Sequence, residues 1–168
     1  MSKLLKGVIA VLMIVGFSGC TSTSDIQVEA MKSEKVNLDG YKTYEIIEGS
    51  GIVDGTKRTD NLDVNAEMQQ MINTELAKKG KTLVTKDPDF YVAYAAGTDM
   101  EAVKEKLDDA GKKTIENRPE AAMVLILIDA ETGVIIGIST AEGEAKSLPA
   151  KESKERLNYA IKKMLSGL

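Results

Sequence analysis

The sequence predicts an α+β domain with a mostly antiparallel sheet of about four to six strands and helices packed mainly on one face. Apolar residues recur at helical spacing within 61–79 and within 149–166, which predicts two amphipathic helices. Strand-forming segments separated by Gly, Pro and Asp give the element order β-α-β-β-(α)-β-β-α. The chain has 168 residues, so we expect one globular domain.

Each predicted helix carries one apolar stripe. The stripe of the first helix consists of Val64, Met68, Met71, Ile72 and Leu76, and that of the last consists of Ser153, Leu157, Ala160, Ile161, Met164 and Leu165. Asp60 or Asn61 is expected to cap the first helix, and Gly80 to end it in the left-handed conformation. Pro149 lies near the start of the last helix, where proline is tolerated.

Stretches of β-forming residues predict the first strands. Segments 41–47 and 89–96 are rich in such residues. Alternation in the second segment places Phe90, Val92 and Tyr94 on one face and Tyr91, Ala93 and Ala95 on the other. Weaker alternating signals lie at Ile26 and Val28, and at Val36 and Leu38.

The most apolar stretch predicts a hairpin. Segment 123–128 is continuously apolar, so we expect a central strand that buries Ile126 and Ile128. A loop at 129–133 leads to a returning strand at 134–141.

This hairpin is apolar on more than one face. The returning strand adds a row of Val134, Ile136 and Ile138 opposite the smaller row of Ile135, Gly137, Ser139 and Ala141. If helices cover only one face, apolar surface remains for a partner protein, a lipid-like ligand or a second copy of the chain. The alternative is that a helix predicted within 100–110 folds over that face.

Composition excludes several chemistries. The chain has no His and a single Cys, which excludes Ser-His-Asp and Cys-His catalysis, His-ligated metals, multi-Cys zinc sites and an internal disulfide. Trp is absent, aromatic residues make up 4%, and the net charge is -4, all of which argue against a nucleic-acid partner. No metal or cofactor is expected.

The N-terminus has the three parts of a secretory signal. Lys3 and Lys6 precede an uncharged apolar run at 7–17, and Ser18 and Gly19 supply small residues before Cys20. The run has 11 residues, whereas a membrane-spanning helix needs about 20. We therefore expect a cleaved signal peptide over 1–19.

The segment from Phe17 to Cys20 resembles a bacterial lipobox, although Phe17 stands where Leu is usual. The resemblance implies a diacylglycerol on the Cys20 sulfur, later acylation such as palmitate, and cleavage before Cys20. Thr21 rather than Asp in the next position implies the outer membrane, facing the periplasm. The alternative is an ordinary signal peptide with a chance Cys.

The sequence then predicts a polar tether over 20–35 and a single domain over 36–168.

Three groups of polar or aromatic residues invite a functional interpretation. Asp87, Asp89 and Asp129 lie at predicted strand ends, where carboxylates serve acid–base chemistry, Ca²⁺ binding or turns, and we favour turns. Tyr41, Tyr44, Tyr91 and Tyr94 form two pairs three residues apart, which are expected to straddle the sheet rather than form a ligand patch. Gly49, Gly51 and Gly55 lack the spacing of a phosphate loop.

Several motifs in order resemble one bacterial lipoprotein family. They are Tyr41-Lys42-Thr43-Tyr44, Gly80, Pro88-Asp89-Phe90-Tyr91-Val92-Ala93-Tyr94, Ile128-Asp129-Ala130-Glu131-Thr132-Gly133 and Lys163-Met164-Leu165. This pattern over about 36–166 resembles the domain of unknown function 4136 family. The chain departs from it at Gly137-Ile138-Ser139, where many members have Trp, a basic residue and Gly. The resemblance implies location and fold, and no catalytic residue.

The sequence favours a non-enzymatic lipoprotein of the cell envelope. Its predicted partners are the membrane, through acyl chains on Cys20, and an envelope protein. The alternatives are a carrier of a small apolar ligand and a carboxylate-based enzyme. A hydrophobic pocket would favour the carrier, and clustered buried acids would favour the enzyme.

Overall fold

The structure, a computed structural model, describes residues 22–34, 38–52, 63–97, 123–144 and 148–168. Its strands are β1 (Gln27–Lys32), β2 (Thr43–Ile46), β3 (Gly51–Ile52), β4 (Thr82–Leu83), β5 (Phe90–Ala96), β6 (Met123–Asp129) and β7 (Ile135–Glu142). The helices are α1 (Val64–Lys78), α2 (Ala150–Gly167) and a short 3₁₀ turn (Leu38–Gly40). The predictions for Cys20, Thr21, Gly55 and a helix within 100–110 lie outside the described residues.

The strands form one mixed sheet in the order β1-β7-β6-β5-β2-β4, with β3 also paired to β5. The pairs β1–β7, β7–β6 and β6–β5 are antiparallel, whereas β2 runs parallel to both β5 and β4. The predicted α+β class with a mostly antiparallel sheet is confirmed. The parallel pairs join β2 and β3, which precede α1 in the chain, to β4 and β5, which follow it, so α1 lies in the crossover that parallel pairing requires.

The two predicted helices are present, with adjusted ends. The N-cap of α1 is Asp63, whose side chain accepts a hydrogen bond from the Ala66 N–H at 3.0 Å, so the expected cap at Asp60 or Asn61 is wrong. Gly80 takes a left-handed φ of 74° after the helix, as predicted. No helix among the described residues is both long and apolar enough to cross a membrane.

Both helices pack on the same face of the sheet and enclose the main core. Met68, Met71, Ile72 and Leu76 of α1 and Ala160, Ile161, Met164 and Leu165 of α2 are buried there. The sheet contributes Phe90, Val92 and Tyr94, which confirms the alternation predicted for β5. Burial of these stripes is the main source of helix stability, because isolated helices of this length are marginal in water.

The other face of the sheet carries a second apolar cluster. Its buried members are Ala95, Val124, Ile126 and Ile138, with Ala93, Ile128 and Ile135 packed against them. Ile126 is buried as predicted, whereas Ile128 is only half-buried. Whether the 99–120 segment covers this face lies outside the described residues.

A bulge corrects the expected rows of the returning strand. Leu127 pairs with Gly137 but Ile128 pairs with Ile135, so Ile136 is an extra residue between them. An extra residue shifts the alternation by one, which places Ile136 with the main core and Ile135 with the second cluster. The predicted common row of Val134, Ile136 and Ile138 is therefore wrong, and Val134 is 49% exposed.

The sheet also begins earlier than the sequence predicts. β1 lies within the expected tether over 20–35, yet all six of its residues pair with β7. Among the described strands it lies at an edge of the sheet, with five of its six residues exposed, so its composition is polar and resembles a linker. The domain therefore starts before residue 36.

Candidate functional site

Asp129 organises the β6–β7 turn. Its Oδ1 accepts hydrogen bonds from the N–H of Glu131 at 3.1 Å and from the N–H of Thr132 at 2.6 Å. The Thr132 hydroxyl donates to the same oxygen at 2.7 Å, and the Tyr41 hydroxyl donates to Oδ2. Asp129 therefore joins its own turn to the segment that precedes β2.

These hydrogen bonds shift two pKa values in opposite directions. The bond from Tyr41, followed by those from Thr132, lowers the pKa of Asp129 to about 2, because each donor stabilises the carboxylate. The same bond and desolvation raise the pKa of Tyr41 to about 12. Asp129 therefore stays ionised at neutral pH.

Asp89, which directly precedes β5, binds the start of β2. Its Oδ2 accepts the N–H groups of Lys42 at 2.6 Å and Thr43 at 2.8 Å, and these bonds lower the pKa of Asp89. Its carbonyl accepts the N–H of Ala130 at 3.1 Å. Asp87, by contrast, is exposed in a turn with a positive φ of 49°.

The three aspartates thus have the turn and strand-end positions that the sequence predicts. Asp89 and Asp129 both bind backbone N–H groups, and their pKa values are lowered, whereas a general acid at neutral pH needs a raised pKa. In the described ranges, no three carboxylate or thiol side chains come together as metal ligands. The Tyr41–Asp129 bond was not predicted, because it joins residues 88 positions apart.

Three of the four tyrosines pack on the main core, and the fourth, Tyr91, is half-buried on β5. Tyr44 and Tyr94 are buried in the main core, and the Tyr44 hydroxyl donates to Asn73 Oδ1 at 2.7 Å. Tyr41 also packs on this side, with its ring centroid 5.8 Å from that of Phe90, so it does not lie across the sheet from Tyr44. Strand alternation does not apply to Tyr41, because β2 begins only at Thr43.

Arg156 is a buried charge that the sequence analysis did not single out. It lies on α2 with an exposed fraction of 9%, four residues before the buried Ala160. Its Nη1 and Nη2 donate to Asp25 Oδ1 at 2.8 Å and Oδ2 at 2.6 Å, and Nη1 also donates to the Ser22 carbonyl. The signal available in the sequence was the four-residue spacing from Arg156 to Ala160, which places the arginine on the apolar face of α2. An arginine in such a position needs a partner for its charge.

This ion pair fastens the N-terminal segment to the domain. The Arg156 guanidinium holds the pKa of Asp25 well below its usual range. Asp25 Oδ2 also accepts the Glu144 N–H at 3.0 Å, which adds the end of β7 to the same cluster. The described chain is therefore bound to α2 from Ser22 onward.

A cavity of about 700 Å³ lies at the opposite end of β1, a size within the usual range of small-molecule sites. It is lined by the residues that end β1, by the 3₁₀ turn, by the turn after α1, by the start of β7 and by Leu168. Three lysines, Lys32, Lys79 and Lys81, contribute to the lining. Sequence analysis did not predict this site, because five separate segments build it.

Comparison with known proteins identifies the family. The description "Domain of unknown function (DUF4136)" belongs to the family whose profile matches residues 28–168. The chain belongs to the DUF4136 family. The match begins inside β1, in agreement with the early start of the sheet, and the predicted resemblance is confirmed. No curated protein matches the chain.

Solved structures share the DUF4136 fold at low sequence identity. A single-substitution variant of PelC from Paraburkholderia phytofirmans, a dodecamer, has a TM-score of 0.53 at 14% identity and covers 84% of this chain and 95% of that chain. A DUF4136 family protein from Bacteroides thetaiotaomicron has a TM-score of 0.55 at 10% identity, with 83% and 95% covered. These likenesses establish the fold alone.

Proposed function

We propose that this DUF4136 protein is a lipoprotein held on the outer membrane by acyl chains on Cys20, where it faces the periplasm and acts as a non-enzymatic interaction or accessory protein of the cell envelope. The observation on which the proposal rests is the order of the segments within residues 1–20. A basic start, an 11-residue apolar run, the small pair Ser18-Gly19 and the single Cys follow one another as a lipobox requires.

The anchor must come from lipid rather than from charge. Removing Lys3 and Lys6 with the signal peptide takes the net charge from -4 to -6, and such a chain is repelled by anionic lipid. Each buried acyl CH₂ contributes about 0.8 kcal/mol, so two chains hold a protein stably. Thr21 in place of Asp supports the outer membrane as the destination.

The contacts of Arg156 support an attachment in which few residues separate the folded domain from the anchor at Cys20. Arg156 binds the carbonyl of Ser22, which is only two residues after Cys20. Two extended residues span at most about 7 Å. An acylated Cys20 would therefore keep the folded domain near the bilayer surface rather than at the end of a long tether.

Two observations favour an interaction role over catalysis. Asp89 and Asp129 are occupied by backbone N–H groups and have lowered pKa values, which suits structure better than proton transfer. β1 is an edge strand that leaves Met31 47% exposed, and edge strands accept partner strands. The dodecameric state of the PelC structures makes a second copy of the chain one such partner to test.

The second candidate function is a carrier of a small ligand. The cavity beside Lys79 favours it, because its volume suits a small molecule and Leu38, Ile136 and Leu168 supply an apolar part of the lining. The lysines in the same lining distinguish it from a purely apolar pocket.

The proposal is tested by Cys20→Ala in the native host, followed by membrane fractionation and labelling with radioactive palmitate. We expect loss of the label together with release from the membrane or accumulation of the uncleaved precursor. Ser18→Ala is the matched control, because it keeps a small residue before the cleavage site and should stay labelled and membrane-bound. A mature-sized Cys20→Ala protein that remains in the membrane pellet would contradict the proposal.

A further inference from the structure

The cavity at the end of β1 concentrates positive charge on an acidic protein. Lys32, Lys79 and Lys81 line it together with Glu34 and Asp39, so its side chains carry three positive and two negative charges. The whole chain has a net charge of -4, so three lysines around one cavity are a local concentration of positive charge. Such a lining attracts anions.

Lys81 is held at the site by the backbone. It is 9% exposed, and its Nζ donates to the carbonyls of Leu38 and Tyr41, both at 2.7 Å. An ammonium group has three N–H donors, so these two bonds leave capacity for one more. The lysine is therefore fixed in position before any ligand arrives, which reduces the entropy lost on binding.

The ammonium groups of Lys32 and Lys81 affect the pKa of Lys79. Desolvation and the charges of Lys32 and Lys81 lower its pKa, and Asp39 and Glu75 oppose this only in part. Like charges at close range are unfavourable, and an anion placed among them removes the repulsion. The chain position supports this geometry, since Lys79 and Lys81 flank Gly80 in the turn that ends α1.

The apolar part of the lining lies beside the lysines. Ile136 is 3% exposed and Leu168 is 9% exposed, so both side chains pack into the core at the base of the cavity. Gly137 allows Leu168 to pack closely against β7, because a Cβ at that position would lie 2.7 Å from Leu168 Cδ2. The bulge in β7 is what places the Ile136 side chain on this face.

We propose that this cavity binds a small amphiphilic anion, whose carboxylate or phosphate contacts Lys32, Lys79 and Lys81 and whose short apolar chain contacts Ile136 and Leu168. The proposal deepens the carrier alternative and is independent of Cys20, so it can fail while the lipid anchor stands, and the reverse.

The test is calorimetric titration of the full-length protein in non-ionic detergent with short, water-soluble probes. Hexanoate and hexyl phosphate carry the charge and the chain, hexanamide carries the chain alone, and inorganic phosphate carries the charge alone. We expect both amphiphilic anions to bind about tenfold or more tightly than hexanamide and inorganic phosphate, the change expected from one charge-assisted contact. Comparison of hexanoate with hexyl phosphate then shows which head group the site prefers.

Variants assign the binding to the cavity. Lys79→Gln should weaken hexanoate binding about tenfold. Lys78→Gln is the matched control, because Lys78 is the adjacent lysine, binds Glu75 and does not line the cavity, so it should leave the affinity unchanged. Leu168→Ala should weaken hexanoate binding and leave inorganic phosphate binding unaffected.

Each opposite result overturns the proposal. Equal affinity for hexanamide would show that the charge plays no part, and equal affinity for inorganic phosphate would show that the chain plays none. Equal losses in Lys78→Gln and Lys79→Gln would show a general charge effect. Absence of binding at millimolar hexanoate in the wild-type protein would show that the lysines serve only the fold. Thermal unfolding of each variant verifies that it is folded before titration.

Discussion

Arg156 and Asp25 form a bidentate ion pair across 131 positions of the sequence, with nitrogen–oxygen distances of 2.8 and 2.6 Å. Arg156 belongs to the buried side of α2, and Asp25 precedes the edge strand β1. The pair therefore determines where the N-terminal segment leaves the domain. Its two parallel hydrogen bonds require the planar fork of arginine.

Arg156→Lys should loosen the N-terminal segment, because lysine cannot form both bonds to Asp25. We expect a lower urea midpoint and faster proteolysis before β1. Lys151→Gln on the same helix is the control, since its exposed ion pair with Glu155 contributes about 0–1 kcal/mol. Equal effects of the two substitutions would show that the Arg156 pair does not hold the segment.

The folded protein should lose stability in acid partly through Asp129. Its pKa falls from an ordinary 3.8 to about 2, so the stabilisation is complete above pH 3.8 and is lost as the pH falls toward 2. Asp129→Asn should therefore unfold with a weaker pH dependence in this interval. Urea unfolding at several pH values measures it, with Asp87→Asn in an exposed turn as the control. An unchanged acid dependence in Asp129→Asn would contradict this assignment.

Tyr41→Phe should raise the pKa of Asp129, because the Tyr41 hydroxyl is the main cause of its lowering. NMR titration of the Asp129 carboxyl carbon measures the shift. The wild-type protein should also lose the contribution of Tyr41 at high pH. The Tyr41 pKa is raised from 10.0 to about 12, so its stabilisation is complete below pH 10 and disappears as the pH rises to about 12. An unmoved Asp129 pKa in Tyr41→Phe would show that the two groups do not interact in solution.

Two neighbouring isoleucines on β6 should differ in their contribution to stability. Ile126 is 2% exposed in the second cluster, so Ile126→Ala should cost about 2–5 kcal/mol of unfolding free energy. Ile128 is half-buried, so Ile128→Ala should cost less unfolding free energy than Ile126→Ala. Val134→Ala, at a residue that is 49% exposed, should change stability by only about 0.5 kcal/mol. Equal losses at all three positions in urea unfolding would contradict the burial described for this face.

Thr21→Asp should move the protein from the outer to the inner membrane if the sorting expectation from the lipobox holds. Thr21→Ser is the control, because it keeps a hydroxyl residue after Cys20. Separation of the two membranes on a sucrose gradient measures the distribution. An unchanged distribution of Thr21→Asp would show that this host sorts lipoproteins by another signal.

The elements that follow from local pattern were predictable, and those that depend on distant partners were not. The stripes of α1 and α2, the left-handed Gly80 and the alternation of β5 follow from spacing and residue type alone. The bulge at Ile136 was not visible, because one extra residue leaves composition unchanged while reversing which side chains face the helices.

The candidate site was less predictable than the fold for the same reason. Asp129 was correctly placed in a turn, but its bond to Tyr41 depends on how β2 lies beside the hairpin. The cavity brings Lys32 next to Lys79 and Lys81 only after β1 joins the sheet as an edge strand. β1 itself gave a weak signal, because edge strands carry the polar residues that also mark linkers.

Intact-mass spectrometry of the mature protein, purified from membranes of the native host, tests the central claim most directly. The account predicts a chain that begins at Cys20 and carries the added mass of a diacylglyceryl group on sulfur, and it predicts that this added mass is absent when Cys20 is replaced by Ala. A mature chain that begins elsewhere, or that begins at Cys20 with an unmodified thiol, would contradict the account.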